Sequence, residues 1–369
     1  MFTPSRLSLA RRREGLTKVQ LAKKTDLTAR SIADYESHRT EPQPDTVKRL
    51  ADALRYPVSF FEAPEIPEIE PEATTFRALS KLTATKRDQA ISAATLALDF
   101  HRWITERFRL PSLDLPDHLA GEDPERAAEI LRMEWKLGEK PIPNMVHLLE
   151  AHGVRVFSLA EDYAEVDAFS TWVKGTPFVF LNTMKTAERS RMDAAHELGH
   201  LVLHRHGTTV LQRPIEEEAK RFASAFLMPK RGMLPTAPHF PSLDQLMRIK
   251  RKWKVSLVAL AFRLHELGAI SDWHYRSLCI DISRRGYRKS EPNPIPREGS
   301  QIMQKVTAAL RDEQVSIVDI ARALHLPVRE LNAFVSGFMI LPVNEEAQSH
   351  DDDGTGGPSS RPELTVVRE

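Results

Sequence analysis

The stretch DAAHELGHLVLHRHG, Asp193–Gly207, contains His196, Glu197 and His200 in the pattern H-E-x-x-H. Two histidines four positions apart lie one helical turn apart on the same face. Neutral imidazoles converging from one side suit Zn2+, which takes histidine nitrogens and carboxylate oxygens. Glu197 stands beside them as a general base for a metal-bound water, whose pKa zinc brings down to about 7. The chemistry implied is hydrolysis. A catalytic zinc site needs a third protein ligand and one open position. The chain has one cysteine, Cys279, so neither an intramolecular disulfide nor a Cys-rich metal site is available. The third ligand must be a histidine or a carboxylate.

Two sources compete. His206 has the offset of the last histidine in H-E-x-x-H-x-x-G-x-x-H, but the turning glycine of that pattern is replaced by Leu203. The run LGHLVLHRH reads as continuous helix, so His206 points away. The acidic run Glu216-Glu217-Glu218 opens the next helical stretch, IEEEAKRFASAFLMP, which stops at Pro229. These residues leave the choice among the three glutamates open. His204, one turn beyond His200, is read as a core or ligand-supporting residue.

Several elements must position this centre. Ala194, Ala195, Leu198, Leu201 and Val202 give the H-E-x-x-H helix an apolar face, and Gly199 lets another backbone come close. Upstream, GVRVFSL, DAFSTWV and TPFVFLN are short β-branched and aromatic runs, which predict three strands, with VKGTP as the hairpin between the last two. DAFSTWV is a candidate edge strand that could hold an extended substrate.

A second constellation lies near the N-terminus, in LTKVQLAKKTDLTARSIADYESHRTEPQPDTVKRLADAL. The pattern predicts a helix over Lys18–Thr25 with Val19, Leu21 and Ala22 inward. A turn at Asp26-Leu27 follows, then a helix over Ala29–Glu36 capped by Thr28, with Ile32 and Tyr35 inward. Thr28, Ala29, Arg30, Ser31 and Asp34 fall on or near the outer face. In a helix-turn-helix that face enters the major groove, where Arg30 can read guanine with two hydrogen bonds. Lys18, Lys23 and Arg39 are placed to contact phosphates. Residues 1–62 carry twelve Lys and Arg against eight Asp and Glu, whereas the whole chain has a net charge of only +1. The positive charge is therefore local.

This N-terminal stretch resembles the Xre, or phage-repressor, type of helix-turn-helix, through Leu21-Ala22, Leu27, Ile32, Glu36 and Pro42. The central stretch resembles the ImmA/IrrE metallopeptidases. The motif stands as His196-Glu197-Leu198-Gly199-His200 and Leu203-His204, then Glu216, Ala219, Phe222-Ala223 and Phe226-Leu227-Met228-Pro229. That resemblance implies Glu216 as the third ligand, and Lys220 departs from it where Asn or Asp is common. It also implies a substrate: these enzymes cleave repressors of the Xre type.

With 369 residues, 41% apolar, the chain is long enough for two or three domains. The expected fold is α+β and mostly helical, an all-α helix-turn-helix domain followed by a small thermolysin-like zinc peptidase with a three-stranded sheet. The expected divisions are the helix-turn-helix at 1–62, an acidic Pro-rich linker at 63–75, the peptidase with a helical connector at 76–285, a linker at 286–300, a helical segment at 301–340 and a disordered tail at 341–369. SIVDIARALHLPVRELNAFVSG, from Ser316, also has a helix-turn-helix rhythm, but Arg329 is the only basic residue of its second helix. It reads as a DNA contact, a dimerisation piece or a hairpin packed on the peptidase. No repeat recurs at a fixed period. No apolar run reaches the length of a membrane span, and no signal peptide is seen, so a cytoplasmic protein is expected. The reading is a transcriptional regulator with a zinc endopeptidase domain. Its partners are operator DNA, a repressor-type protein and, as is common for such modules, a second copy in a homodimer. The competing reading is a DNA-binding or antitoxin-like protein whose metal domain senses and does not cut.

Overall fold

The computed structural model describes residues 1–67, 69, 82–159, 168–204, 212–336 and 365–366. Contacts divide the chain into two compact units. One contains residues 1–111, 157–167 and 301–369; the other contains 112–156 and 168–300.

The first unit begins with four helices, α1 (Pro4–Arg13), α2 (Lys18–Thr25), α3 (Ala29–Glu36) and α4 (Pro44–Leu54). Thr17 caps α2 in a reciprocal capping box with Gln20, and Asp26 ends it in the left-handed conformation, φ 55°. Thr28 caps α3 two residues later. This tight sequence of stop and start makes the helix-turn-helix. Leu21, Ala22 and Ile32 are buried in it. Val19, expected inward, is 67% exposed. An eight-residue helix buries a narrow stripe, here Leu21, Ala22 and Thr25, and Val19 lies off it. Tyr35, also expected inward, is only half-buried. After α4, Phe60 and Phe61 are fully buried, and Ile66 and Ile69 pack as well, so the start of the acidic Pro-rich stretch does not stand free in solvent.

Helix α5 (Ala84–Thr105) packs on α1. It is capped by Thr83 and buries Ala90, Ala93, Ala94, Ala97 and Phe100. Of the helical connector expected from residue 76, residues 76–81 lie outside the described residues and 84–105 form this helix. The connector breaks through Pro111–Gly121 before resuming as α6 (Pro124–Glu134). A two-residue strand, β1 (Phe108–Arg109), pairs antiparallel with Thr365–Val366, the described part of the C-terminal tail. Three C-terminal helices close this unit: α13 (Gln301–Asp312), α14 (Ile317–Ala323) and α15 (Val328–Ser336). Phe334 of α15 stacks on Phe100 of α5. Glu330, 1% exposed, takes hydrogen bonds from Arg13 Nε at 2.9 Å and Tyr56 Oη at 3.1 Å. The C-terminal segment therefore docks on the N-terminal helices.

The second unit is built around a helix pair and a small sheet. Helices α6 and α7 (Met145–Ala151) precede the sheet, and α8 (Ala187–Leu203) and α9 (Gln212–Leu227) follow it. The sheet order is β2-β4-β3, with β2 at Arg155–Leu159, of which residues 157–159 belong to the first unit, β3 at Phe169–Val173 and β4 at Thr176–Asn182. The three predicted strands are present. Strands β3 and β4 form an antiparallel hairpin with Val173 opposite Thr176. Its two turn residues, Lys174 and Gly175, have φ of 48° and 78°, the doubly positive turn that matches strand twist. Three further helices, α10 (Leu243–Trp253), α11 (Leu257–Glu266) and α12 (Asp272–Arg284), complete the unit. Buried cationic side chains fix α8 and α9. Lys250 bridges Glu188, in the first turn of α8, and Glu291 at 3.0 and 2.7 Å. Arg132 and Arg263 donate to the Phe226 and Met228 carbonyls at the end of α9, at 2.5 and 2.9 Å. Those are carbonyls the helix itself leaves without partners. Among the described residues no helix is long and apolar enough to cross a membrane.

Candidate metal centre and DNA-facing helix

Close approach of α8 and α9 brings the candidate metal-binding groups together. A Cβ on Gly199 would lie 3.0 Å from Phe222 Cδ1 and 3.3 Å from the Ala219 backbone. Glycine on one helix and alanine on the other thus let the backbones come close, and α9 passes with Glu216 opposite His196 and His200. The two Nε2 atoms are 3.1 Å apart. Glu216 Oε2 is 3.6 Å from His196 Nε2, and Oε1 is 3.4 Å from His200 Nε2. Two ligand atoms held at zinc-bond length and tetrahedral angle are about 3.3 Å apart. Two imidazoles and a carboxylate at these separations fit a zinc ion, and among the described residues they are the one such cluster.

The neighbouring glutamates go elsewhere. Glu217 is exposed and pairs with Lys220 at 2.9 Å. Glu218 accepts from His204 Nε2 at 2.8 Å. His204 Nδ1 in turn lies 3.2 Å from His200 Nδ1. The network assigns the tautomers. His204 Nε2 gives its proton to Glu218, so His204 Nδ1 accepts from His200 Nδ1–H and His200 Nε2 keeps its lone pair for a metal. Lys220, the departure from the family motif, sits in the surface pair and not in this network. His206 lies outside the described residues.

Glu197 is 3% exposed. Its Oε2 accepts a hydrogen bond of 2.7 Å from Ser170 Oγ on β3. Burial pushes its carboxyl up to about 7, against the opposing pull of His196 and Ser170. Burial also pushes His200 down to about 4, which keeps it neutral. At His196 burial lowers the pKa, but the hydrogen bond it gives Glu216 and the charge of Glu197 outweigh it and the net shift is upward. The hydrogen bond from His196 and the neighbouring His200 imidazole hold the Glu216 carboxyl far below its ordinary range. Ser170 was not among the residues singled out from sequence. A serine facing inward on a strand beside the H-E-x-x-H helix is a signal only once β3 and α8 are known to pack together.

Residues 149–265 match the IrrE N-terminal-like domain of the Peptidase_M78 family, and residues 7–61 match a helix-turn-helix family. The chain carries an IrrE N-terminal-like domain. No curated protein matches the chain. The IrrE-like stretch includes β2 to β4, α8, α9 and most of α11, so all four candidate metal-site residues lie inside it. The match suggests a metallopeptidase-type domain, and a possible His/Glu metal group lies within the matched residues.

The helix-turn-helix match covers every candidate DNA contact. Arg30 is 92% exposed on α3 and lies 3.8 Å from Asp34; Arg39 is 3.7 Å from the same carboxylate. Thr28 accepts from the Ser31 amide at 3.0 Å, and their hydroxyls are 2.8 Å apart. Ala29 is half-buried beside them. Lys18 is 3.4 Å from Glu36, which is also held by Arg11 at 2.6 Å. Among the described residues, the side chains at the α3 N-terminus thus pair with one another and with Asp34. The corresponding helix of the C-terminal segment, α15, is spent on packing. Arg329 donates to Glu14 at 2.6 Å and lies over the Tyr56 ring.

Proposed function

We propose that this chain is a DNA-binding regulator that cleaves a protein, with His196, His200 and Glu216 holding zinc and Glu197 moving the proton. The observation that carries the reading is the convergence of two imidazoles and a carboxylate, their nearest atoms 3.1 to 3.6 Å apart, beside the buried carboxylate of Glu197. A zinc ion there would supply a Lewis acid and a water that ionises near neutral pH. Ser170 ties down Glu197 Oε2, which leaves Oε1 to take the proton from the attacking water and return it to the departing amine. The His204–Glu218 pair keeps His200 in the tautomer that ligates. Strand β3 stands last in the described sheet order β2-β4-β3, which supports it as the strand that holds an extended substrate segment. The resemblance to ImmA/IrrE enzymes supports a repressor-type protein as substrate. Arg30, Thr28, Ala29, Ser31 and Asp34 would read operator DNA, with Lys18 and Arg39 at the phosphates, in the compartment that holds the DNA. Tethering to an operator raises the peptidase's effective concentration at a repressor bound there.

A sensor that binds metal without cutting is the second reading. The placement of Glu197 weighs against it, because a structural site fills its fourth position and needs no base. The deciding experiment compares N-terminal peptide maps of host cells expressing wild type or Glu197→Gln, with zinc content measured on both. A new N-terminus inside a repressor-like protein, present with wild type alone, is the expected result. Identical maps at equal expression and equal zinc would favour the sensor.

A further inference from the structure

The three C-terminal helices repeat the three N-terminal ones at a constant offset in sequence. Thr17 and Ser316 cap the middle helix of each set with the same reciprocal box. Leu21 and Ile320, Ala22 and Ala321, and Ile32 and Leu331 are buried counterparts. Gly15 and Gln314 turn the chain before the cap with φ of 67° and 58°, and Asp26 and His325 turn it after the helix with φ of 55° and 57°. The segment from Gln301 to Ser336 is thus a second copy of the helix-turn-helix, too far along the chain to show as a periodic array.

Position by position, one polar cluster has been lost. In the first copy Arg11 and Lys18 surround Glu36, with Arg11 Nε at 2.6 Å and Lys18 Nζ at 3.4 Å. Their counterparts are Leu310, Ile317 and Val335. These three aliphatic side chains, with Phe100 and Leu331, line a cavity of about 520 Å³. The cavity opens to solvent beside Ile317 and Gln314, and its volume is within the range of small-molecule sites, about 300–1,000 Å³. Arg311, Gln314 and Asn332 also line the cavity. No carboxylate of the described residues lines it. Asp319, the acidic residue of the adjoining helix, is held by Ser316 and Arg322. Among the described residues the Arg311 guanidinium makes no ion pair.

We propose that this cavity binds a small amphipathic organic anion, its apolar body against Leu310, Ile317 and Val335 and its charge at Arg311. The same helix that lines the cavity through Leu331 and Val335 grips the DNA-binding copy through Arg329 and Glu330. The site is therefore one helical turn from the operator-binding module's own packing.

The test is fluorescence titration of the full chain with 8-anilinonaphthalene-1-sulfonate, an anion, and with N-phenyl-1-naphthylamine, its neutral counterpart. Wild type is expected to bind the sulfonate saturably, one per chain. Leu310→Arg combined with Ile317→Lys and Val335→Glu restores the first copy's charges and should weaken binding at least tenfold. Val335→Phe fills the cavity without charge and should do the same, so loss of fold in the triple variant does not decide the matter. Arg311→Gln should weaken the sulfonate about tenfold and leave the neutral probe within twofold. No saturable binding by wild type, equal binding by both repacked variants, or equal effects of Arg311→Gln on both probes would overturn the proposal. The chain continues from Ser336 into the apolar sequence FMILPV at 338–343. Binding that appears only when the chain is ended at Ser336 would make that segment the occupant and also overturn it.

Discussion

The candidate metal centre and the proposed DNA-facing helix are each made of a few polar side chains on short helices, yet they are held in opposite ways. At the centre every polar group is buried or half-buried and already has a partner: Glu216 with two histidines, His200 with His204, His204 with Glu218, Glu197 with Ser170. On α3, Arg30 is almost wholly exposed and its nearest carboxylate is 3.8 Å away. A buried polar group without a partner costs about 1–3 kcal/mol, so the centre must be organised before any ligand arrives. An exposed arginine pays no such penalty and can wait for a base edge to order it. The comparison teaches that substitutions at the centre should act on chemistry and metal retention, whereas those on α3 should act on binding alone.

The sharpest way to break this contrast is at Glu197. Glu197→Gln keeps the shape and the Ser170 contact but removes the base. Peptide-bond cleavage should fall by about 10³-fold while zinc content, measured by atomic emission, stays at wild-type level. A variant that loses zinc as well would mean that Glu197 is structural. The next effect is at the support of His200. His204→Ala removes the group that fixes the His200 tautomer and strands Glu218. Zinc affinity should fall about 10–100-fold, read by competition with a chelator, with operator binding unaltered. Glu218→Gln should give a smaller loss in the same direction, since an amide oxygen still accepts from His204 Nε2.

The spacing of α8 and α9 offers a third test. Gly199→Val forces a branched side chain toward Phe222 and the Ala219 backbone. Overpacking of this kind costs about 1–3 kcal/mol, so the thermal midpoint should drop. Zinc affinity should fall with it, because Glu216 is carried away from the histidines. A stable variant with full zinc affinity would show that α9 is free to shift without moving Glu216.

The histidine pair and its glutamate were legible in the sequence because an i, i+4 spacing has only one meaning on a helix. The choice among Glu216, Glu217 and Glu218 was not. Each step of one residue turns the side chain by about 100°, and the register that matters is set by how α9 crosses α8 at Gly199. Ser170 was illegible for a related reason: its partner is on another element. The helix-turn-helix was legible from its caps, turn and apolar spacing, although Val19 was assigned inward when the buried stripe of α2 begins at Leu21. Least legible was the segment 301–336. Its rhythm was visible, but its docking through Glu330 to Arg13 and Tyr56 depends on residues hundreds of positions apart. The constant offset between the two helix-turn-helix copies was the available signal.

The smallest expected effect falls on the exposed side of the comparison. Arg30→Ala should cost about 1–3 kcal/mol of operator binding if the side chain pairs with a guanine, and should relax the preference at that base. Zinc content and cleavage of an untethered substrate should not change, since Arg30 is in a different unit from the metal centre. Arg39→Ala removes a phosphate contact instead. It should weaken binding to operator and to random DNA alike, by less than Arg30→Ala, and lower the salt dependence by about one ion. Measured together by fluorescence anisotropy at several salt concentrations, the two variants separate reading from anchoring. Equal losses on operator and random DNA for both would remove α3 from base recognition and leave it as an electrostatic face.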